Sequence, residues 1–207
     1  MLRYITAEKM KHVRTAMRIV KDPDTRKQEI LLGALKVFSQ KGYDRTTITD
    51  IARELGISQG LCYRYYASKE AIYDAALEDY ANYIATANLK RFKSDKRSFK
   101  EKIRSFSGAM KEYRKPETDN EQLYELFHGE NSQKLHDQLM MKVASKLVPH
   151  IAAELQRAKD NGEIHISDVG AFAYFFVYGQ LGMLIGEADH KDCAKRIQDT
   201  LIEMLQL

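Results

Sequence analysis

Apolar residues recur at intervals of three and four along most of this chain, the spacing of one buried face of a helix. Ile30, Leu31, Ala34, Leu35 and Phe38 form one such stripe. Asp22 and Pro23 ahead of it supply a cap and a first-turn proline; Lys41 and Gly42 behind it supply a basic last turn and a glycine able to turn left-handed. Ser68 opens a second long pattern, with Ala71, Ile72, Ala75, Ala76, Tyr80, Tyr83 and Ile84 predicting a helix to about residue 90. Further helices are predicted over about 97–114, 119–129, 132–160, 167–187 and 190–206, with Pro149 expected to kink the third of these. No alternating run is long enough for a strand, so the expected fold is all-α.

At the start of the chain Leu2, Ile5, Met10, Val13, Met17 and Val20 alternate with Arg3, Lys9, Lys11, Arg14, Arg18 and Lys21. This predicts a basic amphipathic helix over 2–20. It is expected to brace the unit that follows and lend it cationic contacts. The expected organisation is an N-terminal extension (1–23), a head (24–68) and a helical body (69–207).

The most informative stretch is residues 47–66. Thr47 caps a short helix with Asp50 as the acidic partner of a capping box, and Ile48, Ile51, Ala52 and Leu55 face one way. Small Ala52 is expected where two helices cross closely. Gly56 ends the helix at a sharp bend, Ile57 returns to the core, and Ser58 caps the next helix. Ser58, Gln59, Gly60, Leu61, Tyr63, Arg64 and Tyr65 are left to face outward. Gln pairs with adenine, Arg with guanine, and an aliphatic group meets a thymine methyl, so this face suits the major groove of DNA. Gly60 either reads or only leaves room for a phosphate, and Tyr65 divides between this face and the core.

Composition narrows the class. The chain has 207 residues, 44% hydrophobic and 30% charged, with a mean hydropathy of -0.49, which excludes disordered, collagenous and membrane proteins. The longest apolar stretch, residues 169–186, contains Gln180, four glycines and two tyrosines and reads as a buried helix. Two cysteines, Cys62 and Cys193, fit a reducing cytoplasm, and no apolar signal segment opens the chain. The net charge of +4 is unevenly spread: 14 basic against 8 acidic residues over 1–70, 11 against 3 over 89–115, and 8 against 15 over 116–207. A basic first half suits a polyanionic partner. Six scattered histidines, no phosphate-cradling glycine loop and no nucleophile elbow argue against an enzyme, a metal or a cofactor.

The run over residues 30–73 resembles the DNA-binding region of the tetracycline-repressor (TetR) family. The resemblance rests on Ala34-Leu35-Lys36-Val37-Phe38, Lys41-Gly42-Tyr43, Thr46-Thr47-Ile48, Asp50-Ile51-Ala52, Leu55-Gly56-Ile57-Ser58, Gly60, Tyr63 and Tyr66-Ala67-Ser68-Lys69-Glu70-Ala71. It implies a homodimeric, all-α repressor that a small molecule releases from its operator. Carried over by position, it makes Thr47, Tyr63 and Lys69 phosphate contacts and puts Ser58, Gln59, Gly60, Leu61, Arg64 and Tyr65 at or beside base-reading positions. Leu61 stands where the pattern often has Thr and Cys62 where it usually has Leu. The first exchange alters the expected operator sequence, and the second changes only the core.

Beyond about residue 90 the chain must be read from physics. Gly179, Gly182 and Gly186 recur beside Leu181, Leu184 and Ile185, while Cys193, Ile197, Leu201 and Met204 stripe the last helix, so helices 167–187 and 190–206 are expected to pair between two copies. An intramolecular core is the alternative. Tyr124, Phe127, His128, Met141, Tyr174 and Tyr178 belong to an aromatic and methionine surplus that suits an apolar ligand pocket, with plain core packing as the competing role. The resulting expectation is a regulator binding double-stranded operator DNA, a second copy and a small, largely apolar or aromatic ligand. The alternative is an architectural DNA-binding protein of the same fold with no inducer.

Overall fold

Asp22 begins the first helix, α1 (Pro23–Lys41), because its Oδ2 accepts from the backbone N–H groups of Asp24 and Thr25 at 3.1 Å. The computed structural model describes residues 22–110, 115, 124, 127–128, 132–186 and 190–207. The expected basic helix over 2–20 and most of the expected helix over 119–129 lie outside the described residues. After α1 come α2 (Ile48–Glu54), α3 (Gln59–Tyr65), α4 (Lys69–Ser94), α5 (Phe99–Arg104), α6 (Gln133–Asp160), α7 (Val169–Gly186) and α8 (His190–Leu205). No strand occurs among the described residues, and the fold is all-α.

The caps explain most boundaries. Ser68 starts α4 by accepting from Ala71 N–H at 3.0 Å, and Ser98 starts α5 in a capping box with Glu101. The single helix expected over 97–114 is interrupted at Ser105, after which residues 106–110 are again helical. Proline at position 149 does not end α6, which runs unbroken for 28 residues; Pro149 lies on its exposed side, where the carbonyl it leaves unbonded is open to water.

Two apolar cores organise the chain. The first joins α1, α2, Cys62 of α3 and Ile72, Ala76, Leu77, Tyr80 and Ile84 of α4 to Leu135, Leu139 and Val143 of α6. The second joins α5, the rest of α6, α7 and α8, with Cys193 wholly buried inside it. Each fully buried Leu or Ile in these cores contributes roughly 1.5–3 kcal/mol. The first core therefore extends well past residue 68, and α6 contributes to both cores, through Leu135, Leu139 and Val143 to the first and through Ala144, Val148, Leu155 and Ala158 to the second.

Ala52 is buried as expected, yet a tighter approach falls at Gly33, which the hydrophobic pattern did not single out. A Cβ on Gly33 would stand 2.6 Å from Leu55 Cδ2 and 2.8 Å from its Cγ. The missing side chain lets α1 lie directly on the end of α2. Among the described residues no helix is long and apolar enough to cross a membrane.

Candidate nucleic-acid interface and ligand cavity

The presentation of α3 follows from the turn that precedes it. Thr47 and Asp50 form the capping box: Asp50 N–H donates to Thr47 Oγ1 at 3.2 Å, while Thr47 N–H donates to Asp50 Oδ2 at 3.0 Å. At the other end of α2, Gly56 takes φ 61°, with its N–H on Arg53 O at 3.2 Å and that of Ile57 on Ala52 O at 3.0 Å. This paired bonding needs the left-handed residue that glycine supplies without a Cβ penalty. Ser58 Oγ then accepts from Leu61 N–H at 3.2 Å, and α3 begins.

Within α3, Cys62 is fully buried and Tyr65 is half-buried against the first core, so Tyr65 sides with packing. Gln59 with Tyr63 and Gly60 with Arg64 form two rows one helical turn apart, all exposed. Among the described residues the side chains of Gln59, Tyr63 and Arg64 make no hydrogen bond or ion pair, whereas most cations of the head are engaged. Leu61 is half-buried beside them, and Gly60 has open space where a Cβ would stand.

The flanking positions are more committed than their sequence suggests. Thr47 Oγ1 donates to Asp50 Oδ2 at 2.7 Å, so a phosphate arriving there competes with that carboxylate. Lys41 Nζ donates to Asp50 Oδ1 at 2.7 Å, and Arg53 approaches the same atom at 3.2 Å. The Lys41 hydrogen bond, joined by those of Thr47, holds the Asp50 carboxyl far below the usual carboxylate range. The sequence reading gave Lys41 and Arg53 no part in this site, because each stands in the last turn of its own helix and only the fold brings both to Asp50. Lys69 Nζ donates to Tyr43 O at 2.8 Å and lies 4.2 Å from the centre of the Tyr43 ring. Its ammonium is thus pinned at the α1–α4 seam, leaving two of its three donors.

Residues 30–76 match the model for bacterial regulatory proteins of the tetR family. This part of the chain is similar to that family's DNA-binding region. The HTH-type transcriptional regulator HbdR of Aromatoleum sp. is 42% identical over 67 residues, which cover 32% of this chain and 28% of HbdR. The negative transcriptional regulator of the biofilm operon, IcaR of Staphylococcus epidermidis, is 40% identical over 58 residues, covering 28% of this chain and 31% of IcaR. The chain thus matches less than a third of the length of either relative, and both are regulators of transcription. The solved structure of the transcriptional regulator FadR from Bacillus subtilis in complex with stearoyl-CoA covers 84% of this chain and 97% of that one, with a TM-score of 0.59. At 18% identity that likeness is one of fold.

Behind this head, a cavity of about 220 Å³ opens between α4, α5, α6 and α7. Its wall is mostly apolar, including Ile84, Phe92, Ile103, Val143, Leu147 and Val177, with Asn88, Lys102 and Gln180 as polar points. Asn88 Oδ1 and Gln180 Nε2 are buried with no hydrogen-bond partner among the described residues. The six residues expected to bind ligand stand elsewhere. Phe127 stacks on Tyr80 in the first core at 4.8 Å between ring centres, and exposed His128 stacks on Tyr124 at 4.1 Å. Met141 is exposed, whereas Met140, one position back, lines the cavity together with Met110. Tyr174 is exposed and stacks on Tyr178, whereas Phe176 and Val177 between them point inward. Helical phase separates these neighbours, since each step along a helix turns the side chain by about 100°.

Gln180 carried a usable signal, being the one amide in the most apolar stretch of the chain. Lys102 did not, because it is one of 11 cations between residues 89 and 115.

Proposed function

We propose that this tetR-family chain is a homodimeric transcriptional regulator that reads operator DNA with α3 and leaves it when a small molecule fills the α4–α7 cavity. The observation that carries this reading is the uncommitted outward row of α3. Gln59, Tyr63 and Arg64 are exposed with no internal partner on a helix whose Cys62 side is locked into the core. Ser58, Gly60 and Leu61 complete the approach to the groove, with Thr47 and Lys69 beside phosphates at its flanks. Tyr65 steadies the helix from behind.

Two copies are needed because a seven-residue helix reads only one half-site. The α7–α8 face favours self-pairing: Phe175 is 71% exposed, Tyr174 59% and Met204 53%, around open Gly179 and Gly182. A monomer rarely leaves so many large apolar groups together in water. Reading successive major grooves would require such a pair to hold its two α3 helices ~34 Å apart, one turn of DNA. Repression is the sign favoured by the likeness to IcaR, and ligand response is favoured by the cavity and by the FadR fold likeness. Such a regulator works in the cytoplasm, where its DNA is.

Footprinting of the purified protein on the DNA upstream of its own and neighbouring genes tests the reading. A protected two-fold site with half-sites one helical turn apart is expected. Binding with no preferred sequence, or protection by a monomer, would overturn it.

A further inference from the structure

We infer that the molecule held in the α4–α7 cavity is a small organic acid, mainly apolar, that carries one further hydrogen-bonding group along its length. This rests on the cavity being a ligand site, and it names the class of ligand. The apolar wall sets the bulk of the molecule, and 220 Å³ is just under the ~300 Å³ at which pockets for small molecules begin, so the molecule is compact.

The charged end follows from Lys102. Its Nζ lies over the Phe92 ring, 4.2 Å from the centre, and makes a long 3.4 Å hydrogen bond to Phe92 O. It has no ion pair among the described residues. The nearest acidic influence, Asp95, is already bound by Arg97 through three hydrogen bonds. Partial burial pushes the Lys102 ammonium below the usual lysine range, with Asp95 and Glu163 opposing and Arg157 and Arg97 adding to it, as expected for a half-buried cation with no bonded counter-ion. A ligand carboxylate would supply that counter-ion through a charge-assisted bond.

The second polar group follows from the two amides. Asn88 lies one helical turn before Phe92 on α4, and Gln180 lies on α7. One offers an unused acceptor, Oδ1, and the other an unused donor, Nε2, both buried in the wall. An unmet buried polar atom costs about 1–3 kcal/mol, so a protein that keeps two in one cavity leaves them for a guest. A hydroxyl is the smallest group offering both a donor and an acceptor, and a carbonyl oxygen answers Gln180 alone.

The test is calorimetric titration of the full chain with matched probes: octanoate against octanol, phenylpropanoate against phenylpropanol, and hydroxyphenylpropanoate against phenylpropanoate. Each acid is expected to bind roughly tenfold more tightly than its alcohol, the value of one charge-assisted contact. Lys102→Met should erase that preference while leaving alcohol affinity within about twofold, and Lys102→Arg should restore it. The hydroxylated acid should bind more tightly than its parent, a gain lost in Gln180→Met. If alcohols bind as tightly as acids, the cavity is a ligand site and the acid assignment fails. If no probe binds while the protein still binds operator DNA, the ligand-site reading itself fails. Equal affinity of parent and hydroxylated acid overturns the second polar group.

Discussion

Tyr73 of α4 donates its hydroxyl to Gln138 Oε1 of α6, joining the helix that carries the head to the helix that lines the cavity. Burial, with Tyr43 and Asp74 adding to it, pushes the Tyr73 hydroxyl up to about 12, so it remains a donor at any working pH. Five residues beyond Gln138, Val143 reaches the cavity wall. On the α4 side, Glu78 adds a second tie through Lys146, whose hydrogen bond holds the Glu78 carboxyl below its usual range. Tyr73→Phe and Gln138→Leu should therefore leave operator affinity and ligand affinity each within about twofold, yet weaken ligand-driven release. Couplings between sites are typically 1–3 kcal/mol, so a loss of about fivefold is expected. Fluorescence anisotropy of labelled operator, with and without saturating ligand, measures it; full release in both variants would remove this contact from the route.

Arg64 and Lys69 should fail differently. Arg64 is exposed and unpaired among the described residues, so Arg64→Ala should change sequence preference at one operator position while leaving thermal stability unchanged. Lys69→Ala should weaken binding to all sequences alike, lower the salt slope by about one unit, and also reduce stability because the Tyr43 contacts go. Salt-dependent binding to a set of single-base operator variants separates the two. Equal, sequence-independent losses would make Arg64 a phosphate contact.

At the α1–α2 seam, Gly33→Ala should destabilise the head even though alanine is the better helix former. The added methyl meets Leu55, and overpacking of this kind costs about 1–3 kcal/mol, more than the gain of roughly 1 kcal/mol in helix propensity. In a Leu55→Ala background the same change should become stabilising. Urea unfolding of the four proteins gives the cycle, and additivity would show that the two side chains do not meet.

Acid should loosen the molecule through carboxylates held low in the fold. The hydrogen bonds of Arg97 lower Asp95 from its ordinary 3.8 to about 2, and Asp50 lies lower still because of Lys41 and Thr47. A depressed folded value means that the stabilisation is present above about pH 4 and is lost as pH falls towards 2. Asp95→Asn should therefore lower stability at neutral pH and flatten its fall between pH 4 and 2. Melting temperatures across that range give the comparison.

Self-association should depend on Phe175. Phe175→Glu puts a charge at the centre of the exposed α7 face and should leave a folded monomer that binds operator weakly. Sedimentation velocity reads the mass directly, and an unchanged dimer would move the interface elsewhere.

How far the sequence speaks depends on how local the physics is. The caps at Asp22, Thr47 and Ser58 and the left-handed Gly56 are set by residues within four positions of one another, and all are visible in the pattern. Gly33 against Leu55 is a contact between helices 22 positions apart, where no periodicity marks the partner. The cavity is harder again, since its wall combines four helices and depends on the phase of each. An aromatic surplus names the supply of apolar side chains but not their direction, so Met141 and Tyr174 stand outside while Met140 and Phe176 stand within.

The division of α6 between the two cores bears on how this protein could exchange parts with its relatives. The family match in sequence ends near residue 76, but the core that stabilises those residues takes in Leu135, Leu139 and Val143. The stretch matched in sequence is therefore shorter than the stretch whose core it shares. A chimera joined at residue 68 would open the first core along both α4 and α6, whereas one that carries its own α4 and the first three turns of α6 would keep it closed.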